Sequence, residues 1–260
     1  MEKGTNIHLS VIIPAYNEAR RLPRTLDDII NYLSGQAYQS EVTVVDDGSS
    51  DNTADVVKQR AEGRTGISLL THPDGRNHGK GAAVKLGMLS AKGRYRLFMD
   101  ADNSTTIDHV EQFWPAIEKG FDAVIGSRGL NDSNIAVSQP WYRILAGRVG
   151  NQIIQTLAVP GIEDTQAGFK MFTDECAKDV FPRLTIDRWG FDVEALAVAR
   201  HLGYKIAELP IRWVNDPEGK VTLKGYLGVF GEVWRVRKNL RSGTYGPPSE
   251  SRKKESAPWK

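Results

Sequence analysis

The sequence predicts an α/β protein built on a mostly parallel, doubly wound sheet. Three observations support this. Short, mostly apolar runs recur at residues 9–13, 41–45, 67–70 and 95–99, and the first reads as a central parallel strand buried on both faces. Helix-forming stretches separate them at the spacing of βα units. Two of the runs end directly in acid-rich turns, Asp46-Asp47-Gly-Ser-Ser-Asp-Asn-Thr and Asp100-Ala-Asp-Asn, and open α/β sheets bind ligands beyond the carboxyl ends of their strands.

The first run, Leu9 to Ile13, is β-branched and is stopped by Pro14. Ala15-Tyr-Asn-Glu then forms a loop into a helix over about 23–33. The second strand leads through its acidic turn into a helix from Thr53 to about Arg60, and the third leads through Gly79-Lys80-Gly81 into a helix over 82–90. Tyr95 to Met99 is apolar apart from Arg96. Alternation is less regular afterwards. A short strand at 123–126 precedes Ser127-Arg128-Gly129, and a helix is expected over 142–157 carrying Arg143 and Arg148. Gly161 to Lys170 is too polar for a core strand and too patterned for a plain linker. An Ala-rich helix ends near Gly203, and a last strand covers 206–214 around Pro210. Leu223, Leu227, Phe230 and Trp234 share one helical face, with Arg235, Arg237, Lys238 and Arg241 at its end.

Asp100 and Asp102 carry the sharpest chemical signal. Residues i and i+2 of an extended chain point to the same side, so both carboxylates reach toward one point beyond the strand. Two like charges so close disfavour joint ionisation unless a cation balances them. Oxygen ligands of this kind suit Mg²⁺ or Mn²⁺, with substrate phosphates completing the set. The plain alternative is a polar turn that caps the next helix. Two common nucleotide signatures are absent: the first strand-to-helix turn contains no glycine, and Gly75-Arg-Asn-His-Gly-Lys-Gly lacks the spacing and the hydroxyl residue of a Walker loop. Lys80 and the backbone around it could still hold a phosphate at a helix start, the alternative being an ordinary connection.

Composition narrows the function classes. At 260 residues the chain has room for one large α/β domain or two small ones. A net charge of +2 does not suggest a nucleic-acid binder. Residues 220–260 nevertheless hold 10 basic and 3 acidic side chains, a local +7 that leaves −5 for the rest. The single cysteine, Cys176, excludes an intrachain disulfide and fits a reducing compartment. The N-terminus shows no apolar signal-peptide core, and no run of 18 apolar residues is present. A cytoplasmic chain is expected, with no membrane-spanning helix.

Three motifs in order, Val11-Ile-Ile-Pro-Ala-Tyr-Asn-Glu, Val45-Asp-Asp-Gly-Ser-Ser-Asp-Asn-Thr and Met99-Asp-Ala-Asp, resemble the family 2 glycosyltransferases and their glycosyltransferase A fold. More narrowly, Gly79-Lys-Gly-Ala-Ala-Val-Lys-Leu-Gly-Met, Gly126-Ser-Arg, Asp164-Thr-Gln-Ala-Gly-Phe-Lys and Trp189-Gly-Phe-Asp-Val-Glu look like the dolichyl-phosphate β-glucosyltransferase branch, whose relatives include the dolichyl-phosphate mannose synthases. The resemblance covers roughly residues 8–240.

That resemblance implies a division of labour. Pro14, Ala15, Tyr16, Glu18, Asp46, Asp47 and Ser49 would bind the nucleoside, although Asp46 and Asp47 also suit helix capping. Asp100 and Asp102, with Ala101 between them, would hold Mg²⁺ or Mn²⁺ on the diphosphate, and Lys80 would add positive charge. The acceptor, a polyprenyl phosphate, is already anionic at neutral pH because the second pKa of a phosphomonoester lies near 6. Cations matter more there than a base. Arg128 is the first candidate for that phosphate, followed by Arg143, Arg148 and Lys220. Lys220 lies in Pro217-Glu-Gly-Lys-Val where relatives carry Gly-Ser-Lys-Val. Asp164 and Gln166 would line the site, with Asp164 also weighed as a base.

The implied reaction is inverting, metal-dependent transfer of glucose from UDP-glucose to a polyprenyl (dolichyl) phosphate. GDP-mannose-dependent transfer, a sugar nucleotidyltransferase and a non-enzymatic nucleotide-sugar sensor remain alternatives. The expected layout is a catalytic domain over 1–219, an amphipathic basic helix over 220–241 and a disordered tail over 242–260. The helix either rests on an anionic membrane surface, making the protein peripheral on its cytoplasmic face, or packs on the domain.

Overall fold

The computed structural model describes residues 7–130, 134–135, 154–214 and 223–247, without the side chains of 134–135 and 223–227. The expected helix at 142–157 lies largely outside these residues; its last turn, 154–157, is helical. In chain order the elements are β1 (Leu9–Ala15), α1 (Leu22–Ser34), β2 (Ser40–Asp46), α2 (Thr53–Ala61), β3 (Ile67–Thr71), α3 (Lys80–Ser90) and β4 (Tyr95–Met99). They continue with a 3₁₀ turn at Ile107–Gln112, α4 (Trp114–Glu118), β5 (Ala123–Ser127), β6 (Asn134–Ile135), β7 (Phe169–Thr173) and α5 (Asp174–Val180). The last are α6 (Phe191–His201), β8 (Ile206–Pro210), β9 (Arg212–Trp213) and α7 (Leu223–Arg241).

Among the described residues the main sheet runs β3-β2-β1-β4-β7-β5-β8. Every pairing is parallel except those of β7, which is antiparallel to both β4 and β5. Strand alternation distributes β1 between two cores. Leu9, Val11 and Ile13 pack with Leu22, Leu26 and Ile29 of α1 and with Val57 of α2, whereas Ile12 packs with Ala83, Val84 and Met88 of α3. Each such aliphatic side chain contributes about 1.5–3 kcal/mol on burial.

Three boundaries differ from the sequence reading. Pro14 does not stop β1. It lies within the strand opposite Val45 of β2, while pairing with β4 reaches only Ile12, so its missing N–H leaves no ladder bond broken. The polar stretch ending at Lys170 runs into the central strand β7. Lys170 disguised that strand: it is fully buried because it is ion-paired to Asp192 at 2.5 Å. Arg96, the polar residue inside β4, is similarly buried, bonded to Asp174 and to the carbonyl of Met88. The last strand is split, with Ile211 between β8 and β9.

The C-terminal helix takes one of the two arrangements weighed for it, and only the tail departs from expectation. Val229, Val233 and Val236, spaced at i, i+4 and i+7, enter the core shared with α6. The helix therefore packs on the domain through its valines, leaving Trp234 61% exposed and Phe230 partly buried. Leu223 and Leu227 have side chains outside the described set. A disordered tail beginning at 242 is corrected by Tyr245, which is buried and donates from its hydroxyl to Glu194 at 2.8 Å. Arg183 donates to the Tyr245 carbonyl at 3.0 Å, fixing the turn.

Candidate active site

The acids identified in sequence stand at the ends of adjacent parallel strands, β2, β1 and β4. Pro14 and Ala15 are buried at the end of β1, and Tyr16 emerges beyond it, 42% exposed. The loops after β1 and β2 are stitched together. Asn17 N–H donates to Ser49 Oγ at 2.9 Å, Ser50 N–H donates to Asn17 Oδ1 at 2.8 Å, and Glu18 N–H donates to Thr53 Oγ1 at 2.8 Å. Asp46 accepts from Ser49 N–H at 3.0 Å, closing its own turn.

Asp47 has a different task. Its two oxygens accept from the N–H groups of His78 and Gly79, both at 2.8 Å. It thereby fixes the chain just ahead of α3, where Gly79 has φ 108° and a Cβ would fall 2.5 Å from the Asp187 carbonyl. Asp47 does not cap the helix that follows it in sequence, the alternative weighed for it, and holds instead the segment entering α3. Ser49 and Asp47 are engaged in holding loops, while Glu18 is paired with Arg21 at 2.6 Å.

Lys80, the first residue of α3, meets Asp100 at 2.6 Å. Burial would lower the lysine, but Asp100 and then Asp192 hold it above its usual value. Its ammonium also lies 5.8 Å from the Trp189 ring. Asp100 donates its N–H to the Gly168 carbonyl at 3.0 Å, and its carboxylate rests against the α-carbon of Gly168, where a Cβ would come within 2.0 Å of Oδ2. Ala101 is buried and its carbonyl accepts from Thr25 at 2.7 Å. Asp102 accepts from Ser104 N–H at 2.9 Å; burial, then the charge of Asp100, pushes its pKa up.

The donor set fits a divalent cation. Asp102 is a half-buried carboxylate whose ionisation is opposed by its desolvation and by its neighbour Asp100, the condition a bound cation would relieve. Among the described residues no cluster of three His, Cys, Asp or Glu side chains could hold a metal. Asp100 and Asp102 would therefore supply two ligands, with phosphate oxygens and water supplying the rest, as Mg²⁺ commonly requires.

At the end of β5 stands Arg128. It grips Asp164 with Nε on Oδ2 at 2.7 Å and Nη2 on Oδ1 at 2.9 Å, and its backbone N–H reaches Oδ2 at 2.9 Å. Its guanidinium lies 5.4 Å from the Trp213 ring. Although burial alone would raise the acid, Arg128 brings Asp164 down to about 2. This weighs against Asp164 as the general base, because an effective base has a pKa near the operating pH. Gln166 is half-buried beside it and donates its backbone N–H to Asp164 at 3.2 Å. Arg143, Arg148 and Lys220 lie outside the described residues.

Sequence reasoning missed the support behind these groups. Lys170 and Asp192 form a fully buried pair, and Lys170 also donates to the Ala167 carbonyl, beside Gly168. Burial works against both charges, lowering Lys170 and raising Asp192, and their pairing offsets it. Both residues fall inside motifs already quoted, Asp164 to Lys170 and Trp189 to Glu194. Their pairing, 22 residues apart across β7 and α6, left no local pattern to read. Glu208, Trp213 and Arg21 had no motif to mark them.

Acids at the ends of parallel strands, a lysine at a helix start beside them and an arginine–aspartate pair beyond form a charged site on an α/β sheet. The glycosyl transferase family 2 model matches residues 10–181, and the chain belongs to that family. Among curated relatives it is 42% identical over 226 residues to the dolichyl-phosphate beta-glucosyltransferase of Dictyostelium discoideum, covering 83% of this chain and 69% of that protein. It is 35% identical over 230 residues to the human protein of the same name, covering 82% and 69%. The glucosyl-3-phosphoglycerate synthase of Mycobacterium tuberculosis, solved with Mn²⁺, UDP-glucose and phosphoglyceric acid, superposes with a TM-score of 0.65 at 16% identity, covering 94% of this chain and 82% of that one. That likeness confirms the glycosyltransferase A fold. The chain is a glycosyltransferase.

Proposed function

We propose that this enzyme transfers glucose from UDP-glucose to dolichyl phosphate or a related polyprenyl phosphate, with inversion at the sugar's C1. The observation that carries the reading is the separation of two charged centres on one edge of the sheet. β4 and β5 both flank β7 and are parallel to each other, so Asp100 and Arg128 leave the sheet on the same edge, two strand spacings or about 10 Å apart. One centre suits a diphosphate leaving group, the other a second phosphate. The names of the relatives supply the sugar and the lipid.

In the reaction, an acceptor phosphate oxygen attacks C1, the bond from C1 to the UDP oxygen breaks, and UDP departs with the electron pair. Arg128 orients the acceptor anion, and Asp164 holds Arg128 by a bidentate grip. Lys80 stands by the departing diphosphate, aligned by Asp100. A divalent cation on Asp100 and Asp102 would add positive charge to that leaving group. No protein base is needed, because the attacking phosphate is already anionic at neutral pH. Incubation with a panel of labelled nucleotide sugars, Mg²⁺ or Mn²⁺ and a short polyprenyl phosphate tests the reading. Label should enter the organic phase from UDP-glucose alone; preferential transfer from GDP-mannose would replace it with the mannosyl reaction.

Arg128→Ala should raise the apparent KM for the acceptor about tenfold or more, the loss expected for one charge-assisted contact. The KM for UDP-glucose should stay within about twofold. A large loss of UDP affinity would instead assign Arg128 to the donor.

A lipid-linked acceptor calls for contact with a membrane surface. No helix among the described residues is long and apolar enough to cross a membrane. Among the described residues Trp234 is the most exposed large apolar side chain, and Arg235 and Lys238 flank it on the exposed side of α7. Trp234→Ser should weaken binding to anionic vesicles by about tenfold or more at high salt and leave the melting temperature nearly unchanged. Vesicle binding equal to wild type would remove α7 from the membrane contact.

A further inference from the structure

We infer that Glu208 is a positioning residue for Arg128, acting through the turn that carries Asp164. Glu208 sits in β8 opposite Ile125 of β5, two residues before the Ser127 end from which Arg128 emerges. Its carboxylate accepts two backbone N–H groups in succession, from Glu163 to Oε2 at 2.9 Å and from Asp164 to Oε1 at 2.8 Å. Both oxygens of one carboxylate thus hold consecutive peptide units. The next carboxylate in the series, Asp164, holds Arg128 by Nε, Nη2 and the backbone N–H.

The arrangement has a directional logic. Asp164 can present both oxygens to the guanidinium only if its own backbone is fixed, and the N–H bonds to Glu208 fix it. Gln166 N–H, bonded to the same Asp164 carboxylate at 3.2 Å, turns the chain back across it. The Trp213 ring lies 5.4 Å from the Arg128 guanidinium. It follows from β8 by way of Ile211, whose N–H donates to the Ser127 carbonyl at 3.1 Å. β8 therefore supplies both the clamp on the turn that carries Asp164 and the approach of the ring to Arg128. A glutamate in an edge strand would otherwise read as a solvated side chain.

The inference rests on Arg128 meeting the acceptor phosphate, and the test separates the two. Glu208→Gln keeps volume but turns an amide NH₂ toward one of the two backbone donors, so one bond is lost. Apparent KM values for acceptor and donor are measured for E208Q, R128A and the double variant, with exchange of the Arg128 Nε–H followed by NMR. E208Q should raise the acceptor KM about tenfold, leave the donor KM within about twofold and accelerate Nε–H exchange. The double variant should be no worse than R128A alone, since both act through one group. Additive effects, or an Nε–H that exchanges as in wild type, would overturn the inference. If R128A moves the donor KM instead, the acceptor reading fails, while the positioning inference still requires E208Q to follow R128A on the donor. Glu208→Asp, which shortens the reach by one methylene, should change the same parameters in the same direction and serves where E208Q does not fold.

Discussion

Asp102→Asn should lower kcat by about 10²–10³-fold with Mg²⁺ or Mn²⁺, the scale of losing one group that stabilises charge developing in the transition state. The substitution is nearly isosteric, and the asparagine oxygen can still accept from Ser104 N–H, the bond that Asp102 makes at 2.9 Å. The turn should survive. Stability should hold or rise, because burial and the neighbouring Asp100 both oppose the native charge. A steady-state assay and a thermal melt of the metal-free protein together check this split. Activity near wild type would end the assignment of Asp102 to the metal, and a lower melting temperature would show that its carboxylate stabilises the fold.

Gly168→Ala should produce a loss of similar size, about 10²–10³-fold, by a different route. The added methyl would fall 2.0 Å from Asp100 Oδ2 and 2.2 Å from its Cγ, so the carboxylate must leave its seat and the 2.6 Å contact with Lys80 must break. Nothing in the backbone conformation at 168 requires glycine, since its φ is not positive. The expected defect is therefore confined to the placement of Asp100. Titration with Mn²⁺ followed by paramagnetic resonance should show weaker binding than wild type, with circular dichroism unchanged. If Mn²⁺ affinity and turnover both match wild type, the packing of Asp100 against residue 168 has no part in catalysis.

Both variants concern one point at the end of β4, and the two halves of that point were not equally legible. The Asp-x-Asp of residues 100–102 was plain in sequence because it is local: a buried strand that ends in two acids on one side needs nothing distant to be recognised. The strands β1, β2 and β4 were legible for the same reason, since burial on both faces writes mostly apolar runs, while β3, at the sheet edge and only partly buried, was marked by its short apolar stretch. Gly168 is opposite in kind. It lies 68 residues after Asp100, and only the pairing of β4 with β7, with Asp100 N–H on the Gly168 carbonyl at 3.0 Å, brings them together.

By itself the sequence determined the α/β class, the acid-bearing strand ends, Lys80 at the start of a helix and Arg128 at the end of a strand. All of these follow from residue type and position within one element. Tertiary structure alone decided what each charge is balanced against. It set Lys80 on Asp100, Asp164 on Arg128, and Asp47 on the N–H groups ahead of α3, and it buried Lys170 with Asp192 inside a strand that polarity had concealed. It also turned the valines of α7 toward the core and left Trp234 exposed. The physical reason is common to all of these. A charge or a helix face is recognisable from its own stretch of chain, but its partner is chosen by which elements the sheet order makes neighbours, and burial makes that choice costly to change.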